Sequence, residues 1–145
     1  MRALVQRVRA ACVLVEGETV AEIGAGVCVL LGVADGDGHA EAARLARKVA
    51  FLRIFENPAG RFDRSLQEVS GAALVVSQFT LIADTAKGNR PSFSRAADPR
   101  AAEPIYATFC TELAGHGVEV ARGVFGARMV VEIENDGPVT ILLET

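Results

Sequence analysis

The residues best suited to chemistry follow one apolar run in the middle of the chain. Residues 73–76 are all apolar, and the next four positions carry Ser77, Gln78 and Thr80 around the aromatic Phe79. An unbroken apolar run is typical of a strand that is buried on both faces. A sheet fixes the positions of polar groups at the end of such a strand, so this is a usual place for a site. A strand that runs into a solvated loop is the alternative interpretation.

An ester-hydrolysing site needs a nucleophile, a group that takes its proton and donors for the oxyanion. Ser77 and Thr80 are candidate nucleophiles, but no histidine, lysine or carboxylate lies in their motif. A hydroxyl without a base is a poor nucleophile at neutral pH. The two histidines, His39 and His116, lie beside glycines at apparent helix ends, where we interpret them as solvated or capping residues. The sequence therefore does not favour a conventional catalytic triad.

A second candidate motif lies near the C-terminus, at residues 135–140, with the sequence Asn-Asp-Gly-Pro-Val-Thr. Bonds that precede proline are the only ones with an appreciable cis population. A glycine before the proline lets the backbone approach a ligand closely. Gly137 and Pro138 are thus candidates for a backbone contact with a ligand. A plain turn between two strands is the alternative.

The length and composition of the chain limit the class of protein. Half of the 145 residues are hydrophobic and 23% are charged, which is typical of one soluble globular domain covering residues 1–145. No apolar run approaches the roughly 20 residues that span a bilayer, and the N-terminus lacks the apolar segment of a secretion signal. We therefore expect a cytoplasmic protein with no membrane partner.

The cysteines predict neither a disulfide framework nor a metal site. Cys12, Cys28 and Cys110 are odd in number, far apart and surrounded by apolar residues. The pattern favours small buried hydrophobic side chains. No metal or other cofactor is expected.

The charge pattern bears on a nucleic-acid partner. The net charge of −3 does not indicate a protein that coats a duplex. A protein that holds only the end of a tRNA could use a local basic patch, and Lys87, Arg90, Arg95 and Arg100 are candidates for such contacts. A solvated loop explains the same charges equally well.

The surrounding elements predict an α+β domain with about seven strands and two main helices. Hairpin-like strands at residues 2–16 and 19–23 precede a continuous apolar strand at 27–33. Apolar residues recur at helical spacing over residues 39–51, and a second helix begins after Asp98 and Pro99. Residues 61–69 are interpreted as a polar connection, residues 83–95 as a long loop, and residues 136–138 as a turn between two final strands. The order is not a regular alternation of strands and helices.

The chain resembles the D-aminoacyl-tRNA deacylase (D-tyrosyl-tRNA deacylase) family over nearly its whole length. Each motif is weak alone, but their order and spacing together are specific. The motifs lie at residues 1–8, 24–32, 52–55, 77–81, 87–93, 123–127 and 135–140.

The resemblance implies the compact fold of that family, a homodimer and hydrolysis of D-aminoacyl-tRNA. It implies that Ser77, Gln78, Phe79 and Thr80 form the catalytic pocket, largely through backbone groups, while the terminal 2′-hydroxyl of the tRNA assists the reaction. It also implies a cis bond between Gly137 and Pro138, which enter the partner subunit's pocket and exclude L side chains. Glycine mischarged on alanine tRNA would then be accepted as well.

Two other interpretations fit the same residues. Thr80 could act as a protein nucleophile in the same reaction. The chain could also be a dimeric module that binds a small ligand without catalysis, which the base-free hydroxyl cluster would equally suit.

Overall fold

The fold is one mixed six-stranded sheet, a separate two-stranded ribbon and two α-helices, described by a computed structural model of residues 1–145. A short 3₁₀ turn covers Phe79–Ile82. The helices are α1 (His39–Ala50) and α2 (Pro99–Gly115). The strands are β1 (Arg2–Val15), β2 (Glu18–Ile23), β3 (Gly26–Gly32), β4 (Arg53–Glu56), β5 (Phe62–Ser65), β6 (Ala72–Ser77), β7 (Glu119–Arg122) and β8 (Val130–Glu144).

The long strand β1 organises the sheet. Strand β8 runs antiparallel along one edge of β1, while β3 and β2 pair with successive parts of β1. Beyond β3 the sheet continues with β6 and then β7, both in parallel pairings. Strands β4 and β5 form the separate ribbon. The antiparallel and parallel pairings together confirm the expected α+β class.

Both faces of the central strands are covered by apolar side chains, which explains their unbroken apolar sequences. On one face, Val29 and Val75 pack beneath α1 and α2 in the larger core cluster. On the other face, Cys28, Leu74 and Val76 belong to a second cluster. The end of β6 is therefore held from both sides, as the sequence predicted for the strand that carries Ser77.

Both helices begin where their sequences predict, and both bury apolar side chains. In α1 the Glu41 side chain accepts a hydrogen bond from the Gly38 N–H at 2.9 Å, and Leu45 is buried against the sheet. In α2 the Asp98 side chain accepts from the Arg100 N–H at 2.9 Å, with Pro99 in the first turn. Helix α2 then runs through Pro104 to Gly115. Neither helix has the length and apolarity to cross a membrane.

Two local predictions need correction. The predicted polar connection at residues 61–69 contains a strand, β5, whose polar residues hide the strand pattern. The predicted turn at residues 136–138 is a bulge inside β8, because the pairing jumps from Val8 opposite Asn135 to Gln6 opposite Thr140. A bulge places extra residues on one strand without reversing the chain, so glycine and proline alone cannot distinguish it from a turn.

Candidate active site

A cavity of about 600 Å³ opens where β6 ends. It lies between the end of β6, the start of α2 and the segment that leads into β8. Its wall is mostly apolar, with Ser77 and Gln78 among the few polar residues. The lining comprises Leu31, Val33, Val76, Ser77, Gln78, Phe79, Phe93, Ala96, Ala97, Asp98, Pro99, Ala102, Tyr106, Phe125, Gly126, Ala127, Met129 and Val131.

The backbone after Ser77 is held in place by β3. The Gln78 N–H donates to the Leu31 carbonyl at 2.8 Å, so the chain still follows β3 as the strand ends. The next residues close the 3₁₀ turn, in which the Leu81 N–H donates to the Gln78 carbonyl at 3.2 Å. Ser77, Gln78 and Phe79 thereby face the cavity on a rigid support.

The structure brings three of the four predicted pocket residues to the cavity. Thr80 does not line it, and its hydroxyl instead accepts a hydrogen bond from the Gln78 side-chain amide. Phe79 is 58% exposed and packs edge-on against Phe93, with ring centroids 5.0 Å apart. The two rings form one side of the cavity mouth.

No histidine or lysine lines the cavity, and its one carboxylate is engaged elsewhere. Asp98 caps α2 through the Arg100 N–H, as described above. The Tyr106 hydroxyl donates to the Val75 carbonyl at 2.8 Å, and burial raises the pKa of this phenol well above its usual value. The cavity can therefore bind an apolar group and orient polar atoms at Ser77 and Gln78, but it offers no evident general base.

Gly137 and Pro138 lie apart from the cavity of their own chain. Their peptide bond is cis, and both residues are exposed on the β8 bulge. Gly137 has φ of 122°, a conformation that side chains disfavour. A Cβ added there would lie 2.9 Å from Val139 Cγ2 and 3.1 Å from Arg7 Nη2. This close packing explains why glycine occupies the position.

Arg7 holds the bulge in place and was not singled out from the sequence. Only 7% of this residue is exposed. Its Nε donates to the Asp136 carbonyl at 3.2 Å, and its Nη1 donates to the Ile54 carbonyl at 2.8 Å. Its guanidinium lies 5.6 Å from the ring centroid of Phe62. The only signal of this role in the sequence is a positively charged residue within the alternating pattern of a strand. This signal is weak.

None of the four candidate tRNA contacts lines the cavity. Lys87 and Arg90 are exposed in the loop at residues 83–95, whose base is closed by two hydrogen bonds of 2.8 Å between Asp84 and Ser92. Arg95 and Arg100 are exposed on either side of the start of α2. Phe93, from the same loop, does line the cavity, so these cations lie along the segment that forms one wall.

The cysteines take no part in this site. Cys28 and Cys110 are buried as predicted, and burial raises the pKa of the Cys28 thiol to about 12. The prediction of burial is wrong for Cys12, which is only half-buried, with its thiol 3.4 Å from a Glu132 carboxylate oxygen. Partial burial and that carboxylate both raise the pKa of Cys12, which makes it a sluggish nucleophile.

Sequence reasoning from the residues also missed part of the cavity wall. Tyr106 and Phe125 pack together there, with ring centroids 5.8 Å apart. Tyr106 fits the apolar face of α2 and therefore has the pattern of an ordinary core residue. Phe125 belongs to a glycine-flanked motif at residues 123–127, whose sequence indicates a loop but gives no contact.

The chain is similar over nearly its whole length to one protein family and to named relatives. A family model described as D-Tyr-tRNA(Tyr) deacylase matches residues 4–144. A protein of Thermomicrobium roseum named D-aminoacyl-tRNA deacylase is 57% identical over 145 residues, covering 100% of this chain and 94% of the relative. A protein of the same name from Cereibacter sphaeroides is 54% identical, with 100% of both chains covered.

Two solved structures resemble the fold over its full extent. One, described as c-Myc DNA Unwinding Element Binding Protein, has a TM-score of 0.94 and 42% identity, covering 100% of this chain and 99% of the other. A second, described as a probable eukaryotic D-amino acid tRNA deacylase, has a TM-score of 0.84 and 21% identity, with 98% and 97% covered. At that identity the second likeness concerns the fold alone.

Proposed function

The chain belongs to the D-Tyr-tRNA(Tyr) deacylase family, and we propose that it is a cytoplasmic hydrolase that cleaves D-aminoacyl-tRNA to free D-amino acid and tRNA. The observation that carries the proposal is the segment of Ser77, Gln78 and Phe79, which lines a cavity without a general base. Such a site suits a substrate that brings a reactive group of its own. The reaction removes D-amino acids from tRNA before translation uses them.

In this proposal the tRNA supplies the reactive group that the cavity lacks. Backbone groups around Ser77 to Thr80 hold the amino group and carbonyl of the ester, and the 2′-hydroxyl of the terminal ribose assists the attack of water on the carbonyl carbon. The bond from that carbon to the 3′-oxygen then breaks, and the 3′-oxygen takes up a proton. The contribution of the protein is position and orientation, which can account for a large part of a catalytic rate.

The pocket is completed by a second copy of the chain. Gly137 and Pro138 are exposed and absent from the lining of their own cavity, which supports a role in the pocket of a partner. There their carbonyls would occupy the space into which an L side chain projects. Rejection by steric conflict is a common route to specificity.

An apolar row on the sheet offers a surface for that second copy. Leu4 pairs with Leu30 on one side and with Leu142 on the other, on the face opposite the helices. Leu142 is 51% exposed. The polar contacts from Gln6 and Asn135 to the Thr140 hydroxyl lead from this row to the bulge. A homodimer that covers the row would bring the bulge of each subunit towards its partner.

Rejection by backbone atoms has a consequence for substrate range. Glycine has no side chain to exclude, so glycine esterified to alanine tRNA should also be hydrolysed. The cavity wall beside Ser77 and Gln78 is apolar and carries no charged specificity group other than the engaged Asp98. Discrimination among D side chains should therefore be weak.

Thr80 as a protein nucleophile is the alternative mechanism, and its structural surroundings do not favour it. Replacing Thr80 with alanine should lower kcat/KM only by about two- to fivefold, because the hydroxyl contacts the Gln78 amide rather than a base. Single-turnover hydrolysis of D-tyrosyl-tRNA measures the change. A loss of about 10³-fold in a folded variant would instead support Thr80 as a nucleophile.

The basic residues beside the cavity give a second prediction. If Lys87 and Arg90 contact phosphates near the acceptor end, tRNA affinity should fall with salt, and replacing both with glutamine should flatten the slope by about two units. Replacing Arg44 and Arg47 on α1 with glutamine gives a matched control with no expected change. Affinity that is independent of salt in the parent protein would remove this part of the proposal.

A non-catalytic binding module remains the competing function. D-tyrosyl-tRNA in large excess over the protein separates the two, because an enzyme converts all of it and a binding module protects or releases it unchanged. Complete conversion well above the spontaneous rate is the expected result.

A further inference from the structure

The 3₁₀ turn that carries Phe79 and Thr80 ends in a carbonyl that the turn itself does not use. Within the turn, the Leu81 N–H donates to Gln78 and the Ala83 N–H donates to Thr80. The last carbonyls of any helical turn need outside donors. Arg2, at the start of β1, supplies one: its Nη1 donates to the Leu81 carbonyl at 2.8 Å.

The strand next to Arg2 lets the turn come close. Arg2 pairs across the sheet with Gly32 of β3. A Cβ at Gly32 would lie 3.0 Å from the Gln78 carbonyl oxygen and 3.1 Å from Leu81 Cβ. The turn therefore rests directly on the backbone at Gly32, within reach of the Arg2 guanidinium.

The other neighbour of Arg2 orients its side chain. Glu144 of β8 pairs with Arg2 in the ladder, and its carboxylate oxygen lies 2.5 Å from Arg2 Nε. The planar guanidinium can hold the Glu144 carboxylate and the Leu81 carbonyl from separate nitrogens in one fixed orientation. Three strands thus converge on a single contact to the turn.

We propose that Arg2 is a positioning residue for the hydrolysis, which fixes the turn of Phe79 and Thr80 through the Leu81 carbonyl and is itself oriented by Glu144. The inference rests on the proposed function for its effect on rate, while its effect on the turn is independent of that function. Arg2 lines no part of the cavity, so it acts only through the turn. A displacement of about 1 Å in a positioning group can lower a rate by about a hundredfold.

The test compares three changes with a matched control. Arg2→Met keeps the aliphatic length and removes every donor, Arg2→Lys keeps one charged donor, and Glu144→Gln leaves Arg2 without its charged partner. Arg44→Met is the control, because Arg44 also makes an ion pair of 2.8 Å, with Glu41 on α1. Each variant is assayed for kcat and KM on D-tyrosyl-tRNA and for amide hydrogen exchange at Leu81 and Ala83.

Arg2→Met should lower kcat by about 10- to 100-fold with KM changed less than about threefold. Arg2→Lys and Glu144→Gln should fall between Arg2→Met and the parent. Exchange at Leu81 and Ala83 should rise at least about tenfold in Arg2→Met, while exchange in α1 and the melting temperature stay near those of the parent. Arg44→Met should match the parent throughout.

Several results would overturn the inference. Unchanged exchange at Leu81 and Ala83 would show that Arg2 does not hold the turn, whatever happens to the rate. Faster exchange with an unchanged kcat would show that the turn need not be held for the reaction. If Arg2→Met does not fold, Arg2→Lys and Glu144→Gln carry the same two readouts. An inactive parent would refute the proposed function, and the exchange measurement would still decide whether Arg2 holds the turn.

Discussion

Replacing the terminal 2′-hydroxyl of the tRNA with hydrogen is expected to slow hydrolysis of the D-ester by about 10²–10⁴-fold, the usual range for loss of a general acid–base group. The reason lies in the cavity, where no histidine or lysine is present and Asp98 is held by the start of α2. The Thr80 hydroxyl is likewise engaged, by Gln78. Because the cavity holds no histidine or lysine, the proposed mechanism takes the assisting group from the substrate.

The measurement is single-turnover hydrolysis of D-tyrosyl-tRNA that ends in adenosine or in 2′-deoxyadenosine, with the amino acid on the 3′-oxygen. Spontaneous decay of each ester is subtracted, since the 2′-hydroxyl also affects the uncatalysed reaction. Binding of both substrates should be similar within about tenfold, because one hydroxyl contributes at most about 1.5 kcal/mol to the whole tRNA contact. Equal catalysed rates for the two substrates would exclude assistance by the tRNA. They would indicate that a group of the protein assists the reaction.

If the proposed selector is correct, replacing Gly137 with alanine is expected to lower D-ester hydrolysis by about a hundredfold while the chain stays folded and keeps the oligomeric state of the parent. At φ of 122° the added Cβ would lie 2.9 Å from Val139 Cγ2 and 3.1 Å from Arg7 Nη2. The bulge must shift to relieve these contacts, and Arg7 also bonds to the neighbouring Asp136 carbonyl. In the proposed homodimer, a shifted bulge would obstruct the pocket of the partner.

Gly17 offers the matched control for that substitution. It has φ of 81°, also in the region that side chains disfavour, but nothing lies within 4 Å of its added Cβ. Gly17→Ala should therefore cost stability without a loss of activity. If Gly137→Ala is dimeric, cleaves the D-ester at the full rate and spares the L-ester completely, the selector does not lie on this bulge.

Mixing two inactive variants tests whether the bulge acts across subunits. Gly137→Ala carries an intact cavity, and Ala102→Phe, which fills the cavity wall, carries an intact bulge. Random pairing makes about half of the dimers mixed, each with one whole site of two, so about a quarter of the parent activity should return. No recovery in confirmed mixed dimers would place the bulge in its own chain's site.

The order of the strands and helices can largely be predicted from local patterns in the sequence. The apolar runs of β3 and β6 and the helical spacing of α1 are consequences of burial, which constrains residue type directly. Strand β5 was not predicted because its polar residues pair with only one neighbour in a short ribbon. The sequence predicts a turn at the β8 bulge because glycine and proline are typical of both turns and bulges.

Only the residues of the candidate site that are neighbours in the sequence could be predicted. Ser77, Gln78 and Phe79 are contiguous, so one strand end predicts them together. Arg7 and Tyr106 act through contacts with Asp136 and Val75 that are distant in sequence. No local period encodes such pairs. The absence of a base near Ser77 was visible from the sequence, but the engagement of Thr80 by Gln78 required the fold.

Hydrolysis of matched D- and L-tyrosyl-tRNA by the parent protein tests the central proposal most directly. Both esters share the tRNA and the side chain, so only the hand of the α-carbon differs. The proposed function predicts that the D-ester is cleaved at least about 10²-fold faster than it decays in buffer, through positioning and acid–base assistance. The L-ester, which steric conflict excludes, should decay at its spontaneous rate. Equal acceleration of both esters would contradict the selector at Gly137 and Pro138, and acceleration of neither would contradict the enzyme.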